Sequence, residues 1–147
     1  MVIRKLNFGS MVVAGFVGGW MMWFIDFWFS GTLGLWGMFP PFTDWNFMVR
    51  HLVESIIFII PFAWAPLYYK LPGPGWFKGV VYGTLWWFIF VFIATLVGVA
   101  LGATTIKVLW ITSFGSLVTQ ITLHWVWGFV AGILYIAPER QTSAVTS

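Results

Sequence analysis

Four stretches of this chain are nearly free of charged residues, and each is long enough to cross a lipid bilayer. They are Met11–Phe29, Leu52–Tyr69, Gly79–Leu101 and Ser116–Ala137. The first contains only Asp26 as a charged residue, the second contains only Glu54, and the other two contain none. An apolar helix of about 20 residues spans the ~30 Å hydrocarbon layer of a membrane. The pattern therefore predicts an all-α integral membrane protein with four transmembrane helices.

The composition is typical of a membrane protein, and it excludes sites that depend on cysteine. Of the 147 residues, 61% are hydrophobic and 7% are charged, whereas about 25% of the residues of a soluble domain are charged. The spans use most of the length, which predicts a single membrane domain over residues 1–147 with a polar tail at 138–147. The chain has no cysteine, which excludes thiolate metal sites, iron–sulfur clusters and a cysteine nucleophile.

The Lys and Arg residues indicate an orientation. A four-span arrangement places five of them on one side and two on the other, and the side with more of them is expected to be cytoplasmic. The five are Arg4, Lys5, Lys70, Lys78 and Arg140, and the two are Arg50 and Lys107. We therefore expect both termini in the cytoplasm of a bacterial or archaeal cell. We interpret the net charge of +3 as this topology signal rather than as a nucleic-acid interface.

Two prolines interrupt the second span. Pro61 and Pro66 cannot donate backbone hydrogen bonds, which frees the carbonyls one turn earlier, those of Ile57 and Phe62. A free carbonyl in hydrocarbon needs a partner from a neighbouring helix or water. We therefore expect a kink whose carbonyls face protein rather than lipid.

Pairs of glycines four residues apart occur in three spans. Such spacing lets two helix backbones approach closely, which matters because lipid supplies no hydrophobic force between helices. The pattern favours packing within the chain and leaves open that one glycine face docks another subunit. The glycines are Gly15, Gly19, Gly79, Gly83, Gly128 and Gly132.

The second and fourth spans resemble each other. Each has a histidine followed by apolar residues and a tyrosine near its end: His51 with Tyr68-Tyr69, and His124 with Tyr135. The similarity indicates two tandem helical hairpins that run in the same direction, a parallel repeat.

The segment from His124 to Tyr135, with the pattern His-x3-Gly-x3-Gly-x2-Tyr, resembles a signature of the YagU-like group of small four-span inner-membrane proteins of unknown function. The glycine-rich start Ala14–Gly19 is similar as well. The second span departs from the pattern, because Ser55 and Ile59 stand where the glycines would follow His51. The resemblance implies the four-span fold and brings no chemistry with it.

Ionisable residues inside a bilayer are costly and suggest function by default. We expect Asp26, Arg50, Glu54 and His124, with His51 nearby, to form a polar cluster in the outer third of the bundle. One interpretation is structural, with Asp26 paired to Arg50 and Glu54 paired to His124. The alternatives are a proton or ion relay on Asp26, Glu54 and His124, or a site for a quinone or a lipid headgroup.

Two histidines also raise the question of haem b. Bis-histidine ligation requires both imidazoles at one depth on facing helices. His51 is expected at the mouth of the bundle and His124 on the order of 10 Å deeper, which argues against haem. The set His51, Glu54 and His124 is too sparse for us to assign a metal, so we assign no metal or cofactor and leave haem b and quinone as alternatives at His51 and His124.

These observations favour a non-catalytic accessory subunit of a larger membrane complex, such as a respiratory or other redox assembly, with other integral membrane subunits and lipid as partners. No nucleophile–base pair or phosphate loop stands out, so we expect no enzymatic activity. The alternatives are a small homo-oligomeric transporter or channel that uses the intramembrane Asp, Glu and His residues, and a subunit that binds haem or a quinone.

Overall fold

The computed structural model describes residues 6–32, 43–102 and 113–138. Their secondary structure is seven α-helices and one π-helical turn. The helices are α1 (Phe8–Thr32), α2 (Trp45–Phe58), α3 (Ile60–Ala63), α4 (Ala65–Tyr68), α5 (Gly75–Trp86), α6 (Ile93–Ala100) and α7 (Phe114–Leu134), and the π-turn is Trp87–Phe92.

Four segments are long and apolar enough to cross a membrane, which confirms the predicted all-α, four-span architecture. They are Phe8–Trp28, Trp45–Ala63, Gly75–Ala100 and Phe114–Leu134, here called spans one to four. The second begins seven residues before the predicted Leu52, because Asp44 caps α2 by accepting a hydrogen bond from the Phe47 N–H at 2.9 Å. The expected polar tail lies beyond Pro138, outside the described residues.

The helices form a bundle of two hairpins, and the two helices within each hairpin run antiparallel. The helix α1 packs against α2 and α7, and α5 packs against α7. The starts of α1 and α5 and the end of α7 lie together, because the Asn7 side chain donates to the Ile136 carbonyl at 3.0 Å and the Ser10 hydroxyl donates to the Leu134 carbonyl at 3.1 Å. We call this the terminal end of the bundle, and the opposite end, where α2 and α7 begin, the loop end.

The contact between α5 and α7 is made by backbone. A Cβ placed on Gly79 would clash with the Gly128 carbonyl, and a Cβ on Gly128 would clash with the Gly79 carbonyl. Gly132 meets the Gly75 carbonyl in the same way. Any side chain at these positions would force the two helices apart, so this interface exists because the residues are glycines.

The contact between α1 and α2 follows the same rule. A Cβ on Gly15 would lie 2.8 Å from the Ile56 Cα, and one on Gly19 would lie 2.6 Å from the Ser55 hydroxyl oxygen. In the contact between α5 and α7, a Cβ on Gly83 would likewise clash with the His124 carbonyl. All six glycines with the predicted spacing therefore lie at contacts between helices of this chain.

The helix of span two breaks at its prolines, and tyrosines from the other hairpin bond the exposed carbonyls. The Tyr82 hydroxyl donates to the Phe58 carbonyl at 2.5 Å, and the Tyr135 hydroxyl donates to the Ala63 carbonyl at 2.5 Å. The prediction named the carbonyls of Ile57 and Phe62, whereas the carbonyls that the tyrosines bond belong to the next residues, Phe58 and Ala63. The Ile57 carbonyl instead accepts from the N–H of Ile59, where α2 ends. The expectation that the kink faces protein is nevertheless confirmed for these two bonds.

An aromatic core fills the terminal end. Phe62 is fully buried, and its ring lies 5.3 Å from the rings of both Tyr68 and Tyr82 and 5.8 Å from that of Tyr135. The Lys78 ammonium group lies 4.3 Å from the centroid of the Tyr68 ring and donates to the Tyr68 carbonyl. Burial raises the pKa of Tyr68 and of Tyr135, which keeps both phenols neutral.

Candidate functional site

Two of the residues predicted to form an internal polar cluster lie outside it. Arg50 Nε lies 3.7 Å from Glu54 Oε1, and the two side chains are 66% and 46% exposed. The predicted pairs of Asp26 with Arg50 and Glu54 with His124 are therefore wrong. Arg50 and Glu54 instead pair with each other, one turn apart on the surface of α2. Asp26 is 1% exposed and lies inside the bundle.

The Arg50–Glu54 pair is on the lipid side of α2. The buried residues of this helix are Met48, His51, Leu52 and Ser55. At 100° per residue, positions 50 and 54 fall on the opposite face, where Asn46 and the apolar Val49, Val53 and Ile57 are also exposed. We call Asn46, Arg50 and Glu54 the charged stripe.

The charged stripe reaches the level of the middle of span one. Gly19 of α1 touches Leu52 and Ser55, which flank Glu54 in α2. Gly19 is next to Gly18, the central residue of the 21-residue segment Phe8–Trp28. The Glu54 backbone is therefore level with the middle of span one. A charged side chain at this depth costs about 2.5–3.5 kcal/mol on insertion scales when lipid surrounds it.

His51 is turned into the bundle and is hydrogen-bonded to α1. Its Nε2 lies 3.1 Å from the Gly19 carbonyl oxygen, and its ring stacks on Phe47 at 5.8 Å with an interplanar angle of 8°. A carbonyl oxygen only accepts, so His51 Nε2 carries the hydrogen. The expectation that His51 lies at the mouth is wrong, because α2 begins at Trp45 and carries His51 nearly two turns into the bundle.

His124 lies at a depth similar to that of His51. His51 is bonded to the Gly19 carbonyl, and a Cβ on the neighbouring Gly18 would meet Trp127, which is about one turn from His124. His124 Nδ1 lies 2.8 Å from the Gln120 carbonyl oxygen and must be the donor. In the neutral imidazole, Nε2 is then an acceptor, and it has no hydrogen-bond partner among the described residues.

Three more polar groups lie within about one turn of His124. Thr119 and Gln120 are each 6% exposed on α7. Trp87, 8% exposed, begins the π-turn one turn beyond Gly83. Gly83 touches the His124 carbonyl and the π-turn packs on α7, so the antiparallel register places Trp87 level with Gln120. We call His51, His124, Gln120, Thr119 and Trp87 the polar layer.

Two donors of the polar layer are buried without a partner in the described part of the chain. They are the Thr119 hydroxyl and the Trp87 indole Nε1; the Trp127 indole Nε1, two turns from Thr119, is in the same state. Leaving a buried hydrogen-bonding group unsatisfied costs about 1–3 kcal/mol. The buried hydroxyls of Tyr82 and Tyr135 are bonded, by contrast.

Sequence reasoning found only part of the polar layer. It singled out His51 and His124 as ionisable groups, it considered Thr119 and Gln120 only as weak candidates for lining a pore, and it missed Trp87. The available signal was a Thr-Gln pair one turn before His124 in an otherwise apolar span. The sequence offered no such signal for Trp87, since Trp is one of the commonest residues in the chain, with 12 copies.

The arrangement constrains which groups the polar layer could hold. No group of three or more His, Cys, Asp or Glu residues within the described ranges is placed to hold a metal ion. Bis-histidine haem would require His51 Nε2 to give up its hydrogen bond to Gly19 or to coordinate through Nδ1, next to the Cβ atom.

Comparison with known proteins adds no assignment. No family model, curated protein or solved structure matches this chain. The resemblance of the segment from His124 to Tyr135 to the YagU-like group stays a prediction. The chain is therefore assigned by its own structure, as an all-α membrane protein with four spans.

Proposed function

We propose that this protein is a non-catalytic subunit of a larger membrane protein complex and that it docks through the charged stripe of α2. The observation that carries the proposal is that Arg50 and Glu54 are exposed on the outer face of α2, with Glu54 level with the middle of span one. Lipid tails cannot solvate these charges, whereas polar groups of a neighbouring subunit can.

The geometry of the charged stripe suits a helix partner. Asn46, Arg50 and Glu54 are spaced one turn apart, and the exposed Val49, Val53 and Ile57 lie beside them. Such a face offers van der Waals contact along its apolar edge and hydrogen bonds along its polar edge. Polar side chains between membrane helices contribute on the order of 0.6–2 kcal/mol each, so two or three of them would specify one partner and one register.

Site-specific photocrosslinking in the native membrane tests the proposal. Val53, 49% exposed beside Glu54, is replaced by a photoreactive amino acid, and Val13, 52% exposed on α1, is the matched control. We expect position 53 to give one protein adduct of fixed mass and position 13 to give none. The same adduct pattern at both positions, or no protein adduct at position 53, would overturn the proposal.

A second measurement asks whether the charges themselves are needed. The double variant Arg50→Gln with Glu54→Gln should lose the partner during purification in mild detergent, while Lys70→Gln, which changes an exposed charge away from the stripe, should retain it. Retention of the partner by the double variant at wild-type stoichiometry would show that the charges do not specify docking.

The same stripe favours one alternative, a small homo-oligomer that acts as a transporter. In two parallel copies, Arg50 of one chain could reach Glu54 of the other, one turn away. A crosslinked product at twice 16.8 kDa would favour this alternative. The expected coupling set of Asp26, Glu54 and His124 gives it no support, since Glu54 faces outward while Asp26 is buried.

A further inference from the structure

We propose that a transmembrane helix of the partner subunit packs between span two and span three and presents a Lys or Arg side chain to Glu54. This inference rests on the proposed function, because it names where the partner sits on the charged stripe and which group it brings. The course of the stripe, the ring contacts beside it and the sparse contacts of Glu54 point to such a partner.

Span two and span three meet through aromatic side chains. Span two packs on α1, and span three packs on α7. Where the two spans meet, the Tyr82 hydroxyl donates to the Phe58 carbonyl, and the Phe58 ring lies 4.8 Å from the Trp86 ring. We call the line along which these two spans face each other the seam. The rings of Phe58 and Trp86 close the seam at their own level.

The charged stripe leads into the seam. Its last residue, Glu54, is followed four residues later by Phe58, so the two lie on one row of α2. Span three runs in the opposite direction, and one turn beyond Trp86 lies Phe90, whose ring stacks on that of Trp86 at 4.0 Å. Glu54 and Phe90 therefore both lie one turn nearer the loop end than the closed level of the seam.

The seam is open at the level of Glu54 and Phe90. The side chain of Glu54 is 46% exposed, and Phe90 is 53% exposed. Each residue is one turn from a ring that takes part in the Phe58–Trp86 contact, so their separation is comparable to the width of a helix, about 10–12 Å with its side chains. One helix seated here would contact both walls.

Glu54 has a weak partner within the described part of the chain. Its one ionic contact there is to Arg50 Nε at 3.7 Å, longer than the roughly 2.7–2.9 Å of a charge-assisted hydrogen bond. The Arg50 guanidinium carbon lies 5.4 Å from the centroid of the Phe47 ring, one turn nearer the loop end. Arg50 is therefore directed towards the loop end, as long cationic side chains are near an interface, and the Glu54 carboxylate is left at the deeper level.

The chemistry of the open seam suits a cation. An ammonium or guanidinium group pairs with the Glu54 carboxylate, and the aromatic ring of Phe90 on the facing wall also attracts positive charge. A partner helix with an acidic residue at this level would repel Glu54, and a wholly apolar helix would leave the carboxylate unpaired in a medium without water. Charge complementarity thus selects a helix that carries Lys or Arg.

Photocrosslinking at a second pair of positions tests where the partner sits. Phe90 and Phe88 lie in the same π-turn and are 53% and 46% exposed, but they are about half a turn apart, so Phe88 is on the side of span three away from the seam. A photoreactive phenylalanine at position 90 should give the same adduct mass as the probe at position 53. The probe at position 88 should give no protein adduct.

Two substitutions of Glu54 test the charge of the partner. Glu54→Gln keeps the size of the side chain and removes its charge, and it should reduce the partner retained in mild detergent about tenfold. Glu54→Asp keeps the charge on a shorter side chain and should retain more partner than Glu54→Gln does. A side chain needed only for its polarity would show no such preference for the acid.

The inference is overturned, and the proposed function is not, if position 53 gives a protein adduct while position 90 gives none, one of a different mass, or only lipid adducts. An adduct at position 88 equal to that at position 90 has the same meaning. Full retention of the partner by Glu54→Gln, or equal loss in Glu54→Gln and Glu54→Asp, also overturns it. If these variants do not fold, the comparison of positions 90 and 88 decides. No protein adduct at position 53 overturns the proposed function and this inference with it.

Discussion

The two ends of the bundle use buried polar groups in opposite ways. At the terminal end, the buried hydroxyls of Tyr82 and Tyr135 donate to carbonyls of span two, and backbone meets backbone at Gly79 and Gly128. Towards the loop end, Thr119 and Trp87 are buried with donors that no described residue accepts. The helix of span three also departs from α geometry there.

Whether a buried polar group is bonded determines whether it stabilises the fold. A hydrogen bond made inside hydrocarbon stabilises the fold, and an unmade one destabilises it. The bonded tyrosines and the glycine contacts of the terminal end therefore hold the four spans together. The Trp127 indole N–H, next to Gly128, is an exception there, since it is buried without a described partner. Towards the loop end, the unsatisfied donors of Thr119 and Trp87 and the exposed charges of Arg50 and Glu54 add no such stabilisation.

Replacement of a packing glycine should be the most damaging change. Gly79→Ala should destabilise the protein by about 3 kcal/mol, since the new methyl group would clash with the Gly128 carbonyl, which is backbone and cannot rotate away. Gly9→Ala is the control, because a Cβ there meets nothing within 4 Å. Thermal unfolding in detergent measures both. Equal melting temperatures would show that α5 and α7 can separate without loss of stability.

Removal of one tyrosine hydroxyl at the terminal end should cost about 1–3 kcal/mol, because the carbonyl in span two loses its partner in a medium without water. Tyr82→Phe and Tyr135→Phe both meet this description. Tyr68→Phe keeps the ring and loses no hydrogen bond with a described residue, so it should be neutral. Chemical unfolding in micelles compares the three. If Tyr68→Phe proved as costly as the other two, the bonded carbonyls would not be the reason.

Removal of an orphaned hydroxyl near the loop end should have the opposite sign. Thr119→Val should stabilise the ligand-free protein by about 1 kcal/mol, since it deletes an unsatisfied group at nearly constant volume. Thr95→Val is the matched control. Both threonines are 6% exposed, but the Thr95 hydroxyl donates to the Val91 carbonyl at 2.7 Å. A melting temperature that falls in Thr119→Val would mean that this end is as fully satisfied as the other.

The buried tyrosines should make stability depend on pH in alkaline conditions. Burial raises the pKa of Tyr68 and Tyr135 above the ordinary value of 10.0. Because the folded state holds these protons more tightly, their contribution is complete below pH 10.0 and declines as the pH rises through the folded pKa values. Tyrosinate absorbance should therefore appear at higher pH in the folded protein than in the unfolded chain. Coincident titrations would contradict the burial of these phenols.

The fold was largely predictable from the sequence. Runs of apolar residues long enough to cross a bilayer leave helices as the available structure, and the glycine spacing indicated where helices approach. Two boundaries moved for local reasons, since Asp44 caps α2 early and Pro61 ends its regular part. The candidate site was less predictable. Arg50 and Glu54 are close in sequence to His51, yet the helical rotation of 100° per residue turns them to the opposite face.

Hydrophobicity and length act locally along the chain, so the amino-acid pattern alone indicates the solvent of this protein and the number of its spans. Which polar groups meet depends instead on tertiary packing. The common level of His51 and His124, the absence of described partners for the Trp87 and Thr119 donors, and the bond from Tyr82 to Phe58 all depend on how different helices pack. Such meetings depend on the rotation and register of packed helices, which glycine contacts between backbones set and which apolar periodicity does not encode.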